Sequence, residues 1–171
     1  MNTLPKLTLV LGGAASGKSA YAEGLIAAYG LQKVYIATAQ VFDDEMATKV
    51  ARHRDMRGEG WITIEEPRDL SAVLSQALPD QAVLLDCATL WLTNVMLADE
   101  DIPAASAALI RALATCAAPV VVVSNEVGQG IVPDNALARR FRNAQGALNQ
   151  AIAAQADRVV AVMAGLPMVL K

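Results

Sequence analysis

The stretch Gly12-Gly13-Ala14-Ala15-Ser16-Gly17-Lys18-Ser19, here called the phosphate loop, matches the pattern G-x-x-x-x-G-K-[ST]. It follows an apolar run at residues 7–11, which predicts a buried strand, and it opens an alanine-rich segment that predicts a helix over 18–29. In that order, small residues let backbone N–H groups approach phosphates, and the helix N-terminus adds positive potential. Lys18 can reach the β- and γ-phosphates, and the Ser19 hydroxyl can bind Mg²⁺. The stretch therefore predicts a nucleoside triphosphate site.

Apolar segments recur between helical segments along the rest of the chain. Most of them are continuous apolar runs, which is typical of strands buried on both faces of a parallel sheet. The alternation predicts an α/β fold of the phosphate-loop NTPase kind, with a mainly parallel sheet, flanking helices and room for an antiparallel C-terminal edge strand. The predicted strands cover 7–11, 33–37, 62–65, 82–86, 120–124, 158–163 and 168–170, and the predicted helices cover 18–29, 43–56, 69–77, 90–97, 103–117 and 136–156.

Length and composition narrow the class of protein. The 171 residues suit a single domain over 1–171, and the net charge of −3 predicts no general attraction to nucleic acid or to an anionic membrane. No N-terminal stretch has the pattern of a signal peptide, and the apolar runs are too short for a membrane span. Cys87 and Cys116 lie in apolar surroundings without metal-ligand spacing, which favours two buried reduced thiols and a cytoplasmic protein.

Asp86 is the acidic residue that ends the predicted strand 82–86. In phosphate-loop enzymes a carboxylate at the end of a neighbouring strand helps to hold Mg²⁺. A carboxylate at the end of a strand is also a common surface or capping residue. Because the phosphate loop is present, we favour the metal role, with Ser19 and Asp86 as the predicted ligands.

His53 is the only histidine in the chain and lies late in the predicted helix 43–56. It shares a helix face with the apolar residues three and seven positions earlier. A partly buried histidine without a chemical role is one interpretation. The other is a histidine that acts on a phosphate, because the cations Arg52, Arg54 and Arg57 could hold a phosphate beside the imidazole.

The stretch 124–133, Ser-Asn-Glu-Val-Gly-Gln-Gly-Ile-Val-Pro, follows a predicted strand. Its glycines and proline specify an unusual loop that starts at the carboxyl edge of the sheet, where open α/β sheets bind ligands. Asn125 and Glu126 lie at that edge, and Glu126 either binds substrate or metal or braces the loop. Three arginines on the next predicted helix either contact an anionic substrate or form a solvated face: Arg139, Arg140 and Arg142.

Together these segments resemble the adenosylcobinamide kinase/adenosylcobinamide-phosphate guanylyltransferase family of cobalamin synthesis. The resemblance spans nearly the whole chain. The Asn-Glu-Val-Gly-x-Gly-Ile-Val-Pro stretch is highly specific, whereas the phosphate loop is shared by many families. Four stretches carry the resemblance: the phosphate loop; Tyr35-Ile36-Ala37-Thr38-Ala39-Gln40 with Asp43-Asp44-Glu45-Met46; Arg52-His53-Arg54 with Arg57 and Trp61; and 124–133 followed by Leu137-Ala138-Arg139.

The resemblance implies a transferase with two reactions. The first moves the γ-phosphoryl group of ATP or GTP to the aminopropanol hydroxyl of adenosylcobinamide, with Lys18 as a catalytic residue. The second moves GMP from GTP to the new phosphate through a covalent histidine–GMP intermediate on His53, giving adenosylcobinamide-GDP and pyrophosphate. The resemblance also implies a homotrimer. The alternatives are another small-molecule phosphate-loop kinase and a nucleotide-dependent switch protein.

The resemblance further implies which residues bind the nucleotide and the second substrate. The residues implied to bind the triphosphate are Gly12, Gly13, Ala14, Ala15, Ser16, Gly17, Lys18 and Ser19. The residues implied to contact the guanine nucleotide are Thr38, Ala39, Gln40, Arg54, Asp55, Met56, Arg57, Gly58 and Glu65. Asp86 matches the acidic residue that the family has on the strand adjoining that of the phosphate loop. Asn125, Glu126 and Arg139 are the candidates for substrate binding. Two positions depart from the family: many members have arginine at the position of Ala15, and some have two adjacent histidines where this chain has Arg52 and His53.

Overall fold

A computed structural model describes residues 3–41 and 43–171. Its strands are β1 Leu7–Gly12, β2 Gln32–Ala37, β3 Trp61–Glu65, β4 Gln81–Asp86, β5 Val120–Asn125, β6 Arg158–Met163 and β7 Leu166–Val169. They form one seven-stranded sheet in the order β3-β2-β4-β5-β1-β6-β7. Every pairing is parallel except that of β6 with β7, which is antiparallel. The predicted fold class is therefore confirmed, including the antiparallel edge strand.

Four of the described helices begin where the sequence supplies an Asp or Asn capping side chain. Asp43, Asp69, Asp101 and Asn135 each accept a hydrogen bond from the backbone N–H three residues later, which satisfies a free donor of the first turn. The predicted helices and strands agree with the observed ones to within two residues at each end. The helices are α1 Lys18–Ala27, α2 Asp44–Arg57, α3 Leu70–Ser75, α4 Ala88–Leu97, α5 Ile102–Thr115 and α6 Ala136–Gln155.

The sheet is buried on both faces, as its continuous apolar strands require. Leu9 and Val122 point into a cluster filled by α3, α4, α5 and α6, whereas Val10 and Val121 point to the opposite face, which α1 covers. Each such side chain contributes about 1.5–3 kcal/mol when it is fully buried. Helix α2 differs from the others because none of its residues is fully buried. It therefore depends on a few contacts for its position.

One prediction about the order of the strands is wrong. Asp86 was expected on the strand adjoining that of the phosphate loop, but β5 lies between β1 and β4 and pairs with both. Strand order depends on how the connecting helices pack over the sheet, and the apolar pattern within a strand carries no information on it. The parallel arrangement still brings the carboxyl ends of β1, β4 and β5 to the same edge.

Two expectations from composition can also be compared with the structure. Cys87 and Cys116 are buried free thiols, as predicted. Within residues 3–41 and 43–171, no helix combines the length and apolarity that crossing a membrane requires.

Candidate nucleotide site

The phosphate loop bends sharply between β1 and α1 and is supported by the turn between β6 and β7. Ala15 has φ 55° and Gly17 has φ 92°, and a Cβ added to Gly17 would lie 3.0 Å from the Cα of Gly165. Glycine at position 17 therefore permits both the backbone conformation and the close approach. The N–H of Gly165 donates to the Ser16 carbonyl over 2.8 Å. In the loop, Gly12 is buried, Ser16, Lys18 and Ser19 are half-buried, and Gly13, Ala14, Ala15 and Gly17 are exposed.

Lys18 begins α1 and folds back over the loop. Its Nζ donates to the Gly13 carbonyl over 3.0 Å. Burial lowers the pKa of Lys18, while the nearby Cys87 and Asp86 oppose that shift. The ammonium group therefore lies over the backbone of the phosphate loop and interacts with the charge of the β4 carboxylate.

Asp86 receives a hydrogen bond from a residue that the sequence analysis did not single out. The Tyr35 hydroxyl donates to Asp86 Oδ2 over 2.6 Å. Burial, reinforced by Asp86, raises the pKa of Tyr35 far above the physiological range, so the phenol keeps its proton and remains the donor. Tyr35 was visible in the sequence only as part of the Tyr35–Gln40 stretch.

The donors at this edge suit Mg²⁺. In the described parts of the chain, no three His, Cys, Asp or Glu residues are grouped to hold a metal by themselves. Mg²⁺ does not need such a group, because it binds one or two protein oxygens and completes its shell with phosphates and waters. The Ser19 hydroxyl and the Asp86 carboxylate are oxygen donors of that kind.

Helix α2 turns one stripe of side chains inward, and His53 belongs to it. The half-buried residues of α2 are Met46, Val50, His53 and Arg57, and the other residues of the helix are exposed. Their spacing places them on a single face, which confirms that His53 shares a face with Met46 and Val50. The half-buried position of His53 is compatible with both interpretations, a partly buried histidine without a chemical role and a histidine that acts on a phosphate.

The cations around His53 have different surroundings. Arg52 and Arg54 are exposed, and Arg54 forms an ion pair of 3.5 Å with Glu65, itself exposed at the end of β3. Such a surface pair adds little stability, so both groups can be drawn to a ligand. Arg57 instead stacks its guanidinium carbon 3.4 Å from the centre of the Tyr35 ring.

Glu23 on α1 is a residue of this region that the sequence analysis missed. Burial raises the pKa of Glu23, and the charge of Arg57 opposes that shift.

The residues predicted to contact guanine lie at the ends of β2, β3 and α2, and they differ in accessibility. Thr38 is fully buried; its hydroxyl donates to the Cys87 carbonyl and accepts from the Cys87 N–H, both over 2.9 Å, and its carbonyl accepts from Asn94. Thr38 therefore joins β2 to β4 beneath the edge. Ala39 and Gln40 are half-buried, and Asp55, Met56 and Gly58 are exposed.

The loop after β5 is braced by the side chains proposed for substrate binding. The Glu126 N–H donates to the Gly12 carbonyl over 3.0 Å, and its Oε1 accepts from the Gly128 N–H over 2.6 Å. Arg139 donates to the carbonyls of Pro133 and Asp134 over 2.9 and 2.7 Å. Of the alternatives for Glu126, the structure shows the bracing contact. Arg140 is exposed and Arg142 half-buried.

A buried polar network that the sequence analysis missed fixes the start of this loop. Ser124 donates to Asn149 Oδ1 over 2.6 Å, and Gln145 donates to the Ser124 hydroxyl over 2.9 Å. Asn149 in turn donates to the Asn125 carbonyl, while the Asn125 N–H donates to Thr89. Helices α4 and α6 thereby hold Asn125 beside the phosphate loop.

A mainly parallel sheet with a phosphate loop between β1 and α1 defines the class of phosphate-loop nucleotide-binding proteins. Solved structures with the same fold include the RadB recombinase, at a TM-score of 0.54 and 16% identity over 92% of this chain and 74% of that one. An ATPase of a bacterial type III secretion system has a TM-score of 0.56 and 8% identity over 97% of this chain and 57% of that one. At such identities the likeness concerns the fold alone.

Within this class, the chain belongs to the cobinamide kinase / cobinamide phosphate guanyltransferase family, whose model matches residues 8–170. It is 47% identical over 166 residues to the bifunctional adenosylcobalamin biosynthesis protein CobP of Pseudomonas aeruginosa, over 95% of this chain and 96% of the relative. It is 44% identical to the bifunctional adenosylcobalamin biosynthesis protein CobU of Salmonella typhimurium, over 96% of this chain and 99% of the relative. The resemblance seen in the sequence is thus confirmed.

Proposed function

We propose that this chain is a bifunctional enzyme of cobalamin synthesis, with adenosylcobinamide kinase and adenosylcobinamide-phosphate guanylyltransferase activities. Its family membership and its full-length relatives support both activities and disfavour a switch protein or an unrelated small-molecule kinase. The observation that carries the proposal is that the only histidine faces inward on α2, a helix whose last residue contacts the β2–β4 edge. Because strands from both ends of the chain share one sheet, we treat 1–171 as one domain.

In the first reaction, the phosphate loop holds the triphosphate of ATP or GTP. The aminopropanol hydroxyl oxygen of adenosylcobinamide bonds to the γ-phosphorus, the bond to the β–γ bridging oxygen breaks, and a nucleoside diphosphate leaves. The hydroxyl proton is released. Lys18 stabilises the negative charge that develops on the transferred group. Such electrostatic stabilisation is the main contribution of a phosphate-binding site to catalysis.

Mg²⁺ would be held by Ser19 and Asp86, and it would neutralise charge on the triphosphate. Lys18 would meet the same phosphate oxygens from the loop side, because its Nζ already lies over the loop, 3.0 Å from the Gly13 carbonyl. The protein thus surrounds the phosphates with a cation, backbone donors and one carboxylate.

In the second reaction, an imidazole nitrogen of His53 attacks the α-phosphorus of GTP. A P–N bond forms, the bond between that phosphorus and the α–β bridging oxygen breaks, and pyrophosphate leaves. A phosphate oxygen of adenosylcobinamide phosphate then attacks the same phosphorus, which breaks the P–N bond, frees His53 and yields adenosylcobinamide-GDP. Arg52 and Arg54, exposed on either side of His53, are placed to attract the phosphates.

The remaining assignments concern recognition and assembly. We propose that the end of β2, the end of α2 and Glu65 contact the guanine nucleotide, and that the loop after β5 contacts the corrinoid through Asn125, Glu126 and Arg139. We also propose a cytoplasmic homotrimer. Exposed apolar side chains on α4, on α6 and in the loop after β5 offer surface that association would bury, among them Leu97, Leu137, Ile131 and Val132.

Labelling with radioactive GTP tests the transferase activity. GTP labelled at the α-phosphate should tag the folded protein, and the tag should be lost in acid and retained in alkali, as expected of a phosphoramidate. GTP labelled at the γ-phosphate is the control and should leave no such tag. Since the chain has one histidine, His53→Ala should abolish the tag while it retains much of the phosphoryl transfer.

Three results would count against these assignments. An absence of tag on pure, folded protein would exclude the histidine–GMP mechanism. An equal loss of both activities in His53→Ala would indicate a structural role for the histidine. Unchanged phosphoryl transfer in Lys18→Ala would contradict the phosphate site, because removal of a charge-stabilising donor costs roughly 100-fold or more in rate.

A further inference from the structure

Tyr35 lies between the carboxylate that ends β4 and the helix that carries His53. Its hydroxyl donates to Asp86 Oδ2 over 2.6 Å, and Arg57, the last residue of α2, stacks 3.4 Å from the centre of its ring. The side chain is nearly inaccessible, with 6% of its surface exposed. One buried residue therefore contacts both the carboxylate assigned to Mg²⁺ and the helix assigned to guanylyl transfer.

The ring of Tyr35 forms the link to α2. Trp61 packs edge-on against it with ring centres 6.2 Å apart, which leaves one face to the Arg57 guanidinium. A cation stacked on the face of an aromatic ring is attracted by the ring's electrons, and partial burial strengthens that attraction. Because α2 has no fully buried residue, this contact is a substantial part of what holds its C-terminal end. Arg57 lies one turn after His53 on the same face, so the ring also controls the position of the imidazole.

The hydroxyl of Tyr35 forms the link to Asp86. A hydrogen bond from a phenol to a carboxylate is short and strong, and the donor of this one lies on a buried residue. With Oδ2 engaged, the orientation of the carboxylate is fixed and Oδ1 remains for a cation. Groups that orient a metal ligand in this way affect metal binding almost as strongly as the ligands themselves.

We propose that Tyr35 is a positioning residue for both reactions, whose hydroxyl orients Asp86 for Mg²⁺–triphosphate and whose ring anchors the helix that presents His53. The inference rests on the proposed function for the identity of the two reactions. Its distinctive consequence is that two parts of one side chain serve two different steps, so substitutions that remove one part or both give different results.

Two variants separate the hydroxyl from the ring. In Tyr35→Phe, which keeps the ring, the Mg²⁺ concentration for half-maximal phosphoryl transfer should rise roughly tenfold, while the rate at saturating Mg²⁺ stays near that of the wild type. In Tyr35→Leu, which loses both parts, tagging of His53 by GTP should also fall roughly 10- to 100-fold at saturating Mg²⁺, because the imidazole is misplaced.

Binding of Mn²⁺ in the presence of an unreactive GTP analogue, followed by electron paramagnetic resonance, measures the hydroxyl link without turnover. Tyr35→Phe should weaken Mn²⁺ binding roughly tenfold, the factor expected for Mg²⁺ in phosphoryl transfer. Tyr29→Phe is the matched control, because Tyr29 packs against the same apolar cluster, and its Mn²⁺ binding should equal that of the wild type. Wild-type Mn²⁺ binding by Tyr35→Phe would overturn the role of the hydroxyl, whether or not the protein proves to be a guanylyltransferase.

The contact between the Tyr35 ring and α2 is tested separately. Equal tagging rates for Tyr35→Leu and Tyr35→Phe at saturating Mg²⁺ would show that the ring does not position His53. If Tyr35→Leu does not fold, Arg57→Gln removes the same contact from the helix side and should reduce the tagging rate comparably at saturating GTP, where a weaker nucleotide contact no longer limits the rate. Where Tyr35→Leu does fold, the addition of Arg57→Gln to it should reduce the tagging rate little further, because residues that act through one interaction are not additive. Additive losses would contradict the inference.

Discussion

The N–H of Gly165 donates a 2.8 Å hydrogen bond to the Ser16 carbonyl, so that the last hairpin of the chain closes against the first functional loop. The turn has Ala164 and Gly165 at positive φ, 52° and 76°, which is the backbone of a tight two-residue hairpin. Its position leaves no room for a side chain at Gly17. The β6–β7 hairpin therefore supports the phosphate loop.

Gly165→Ala should weaken nucleotide binding through this contact. A non-glycine residue in the left-handed region costs about 1–2 kcal/mol, and we expect a shift of the turn at Ser16 to relieve part of that strain. We expect the KM for the nucleoside triphosphate to rise about fivefold, the equivalent of about 1 kcal/mol. Gly30→Ala is the matched control, since Gly30 has φ 66° but adjoins no part of the loop. It should lose similar stability without a change in KM, and equal KM values for the two variants would contradict the hairpin's role.

Arg139→Ala should affect the corrinoid substrate more than the nucleotide. The guanidinium holds the carbonyls of Pro133 and Asp134, and these two hydrogen bonds contribute roughly 1 kcal/mol together to the order of the loop after β5. We expect the KM for adenosylcobinamide phosphate to rise about fivefold relative to the KM for GTP. Arg140→Ala changes the neighbouring exposed arginine and should leave that ratio unaltered. If this KM ratio rose only in Arg140→Ala, the substrate would contact the exposed face of α6 that carries Arg140 and not the loop held by Arg139.

Ser124→Ala should destabilise the fold. The hydroxyl donates to Asn149 and accepts from Gln145, and all three side chains are buried. Removal of the hydroxyl takes one acceptor from the Gln145 amide and one donor from Asn149 Oδ1, which stay bonded to each other over 3.0 Å, so we expect a loss of about 1 kcal/mol in the free energy of unfolding. Ser75→Ala deletes a hydroxyl that is bonded only to a helix carbonyl at an exposed position, and should change stability by less than about 0.5 kcal/mol. Urea denaturation of both variants measures the difference, and equal stabilities would show that the network is dispensable.

Glu23→Gln should become more stabilising, relative to the wild type, as the pH rises. Burial raises the pKa of Glu23 above its ordinary value of 4.5. The native state therefore favours the neutral carboxyl, and that contribution is complete below the ordinary pKa and is lost as the pH rises through the raised one. Urea denaturation at pH 4 and pH 7 should show a stability advantage for Glu23→Gln that is larger at pH 7. A larger advantage at pH 4 would show that the Arg57 charge outweighs burial.

Local signals account for the part of the fold that could be predicted. Apolar runs such as 120–123 specify buried strands, and Asp43 or Asn135 mark helix starts, because both effects act over a few neighbouring residues. The inward face of His53 also follows from helical spacing alone. The position of β5 between β1 and β4 did not follow, because no residue within a strand encodes its neighbour in the sheet.

By itself, the sequence determined that this protein carries a phosphate loop on an α/β fold, and its specific stretches marked the family. Only the tertiary structure showed that Tyr35 joins Asp86 to Arg57, that Gly165 supports Ser16 and that Gln145 reaches Ser124. The physical reason is distance along the chain. Those partners lie between 21 and 149 residues apart, as the numbering shows, and they meet only when the strands and helices have packed. Local residue patterns specify elements, and contacts between elements arise from packing that no local pattern describes.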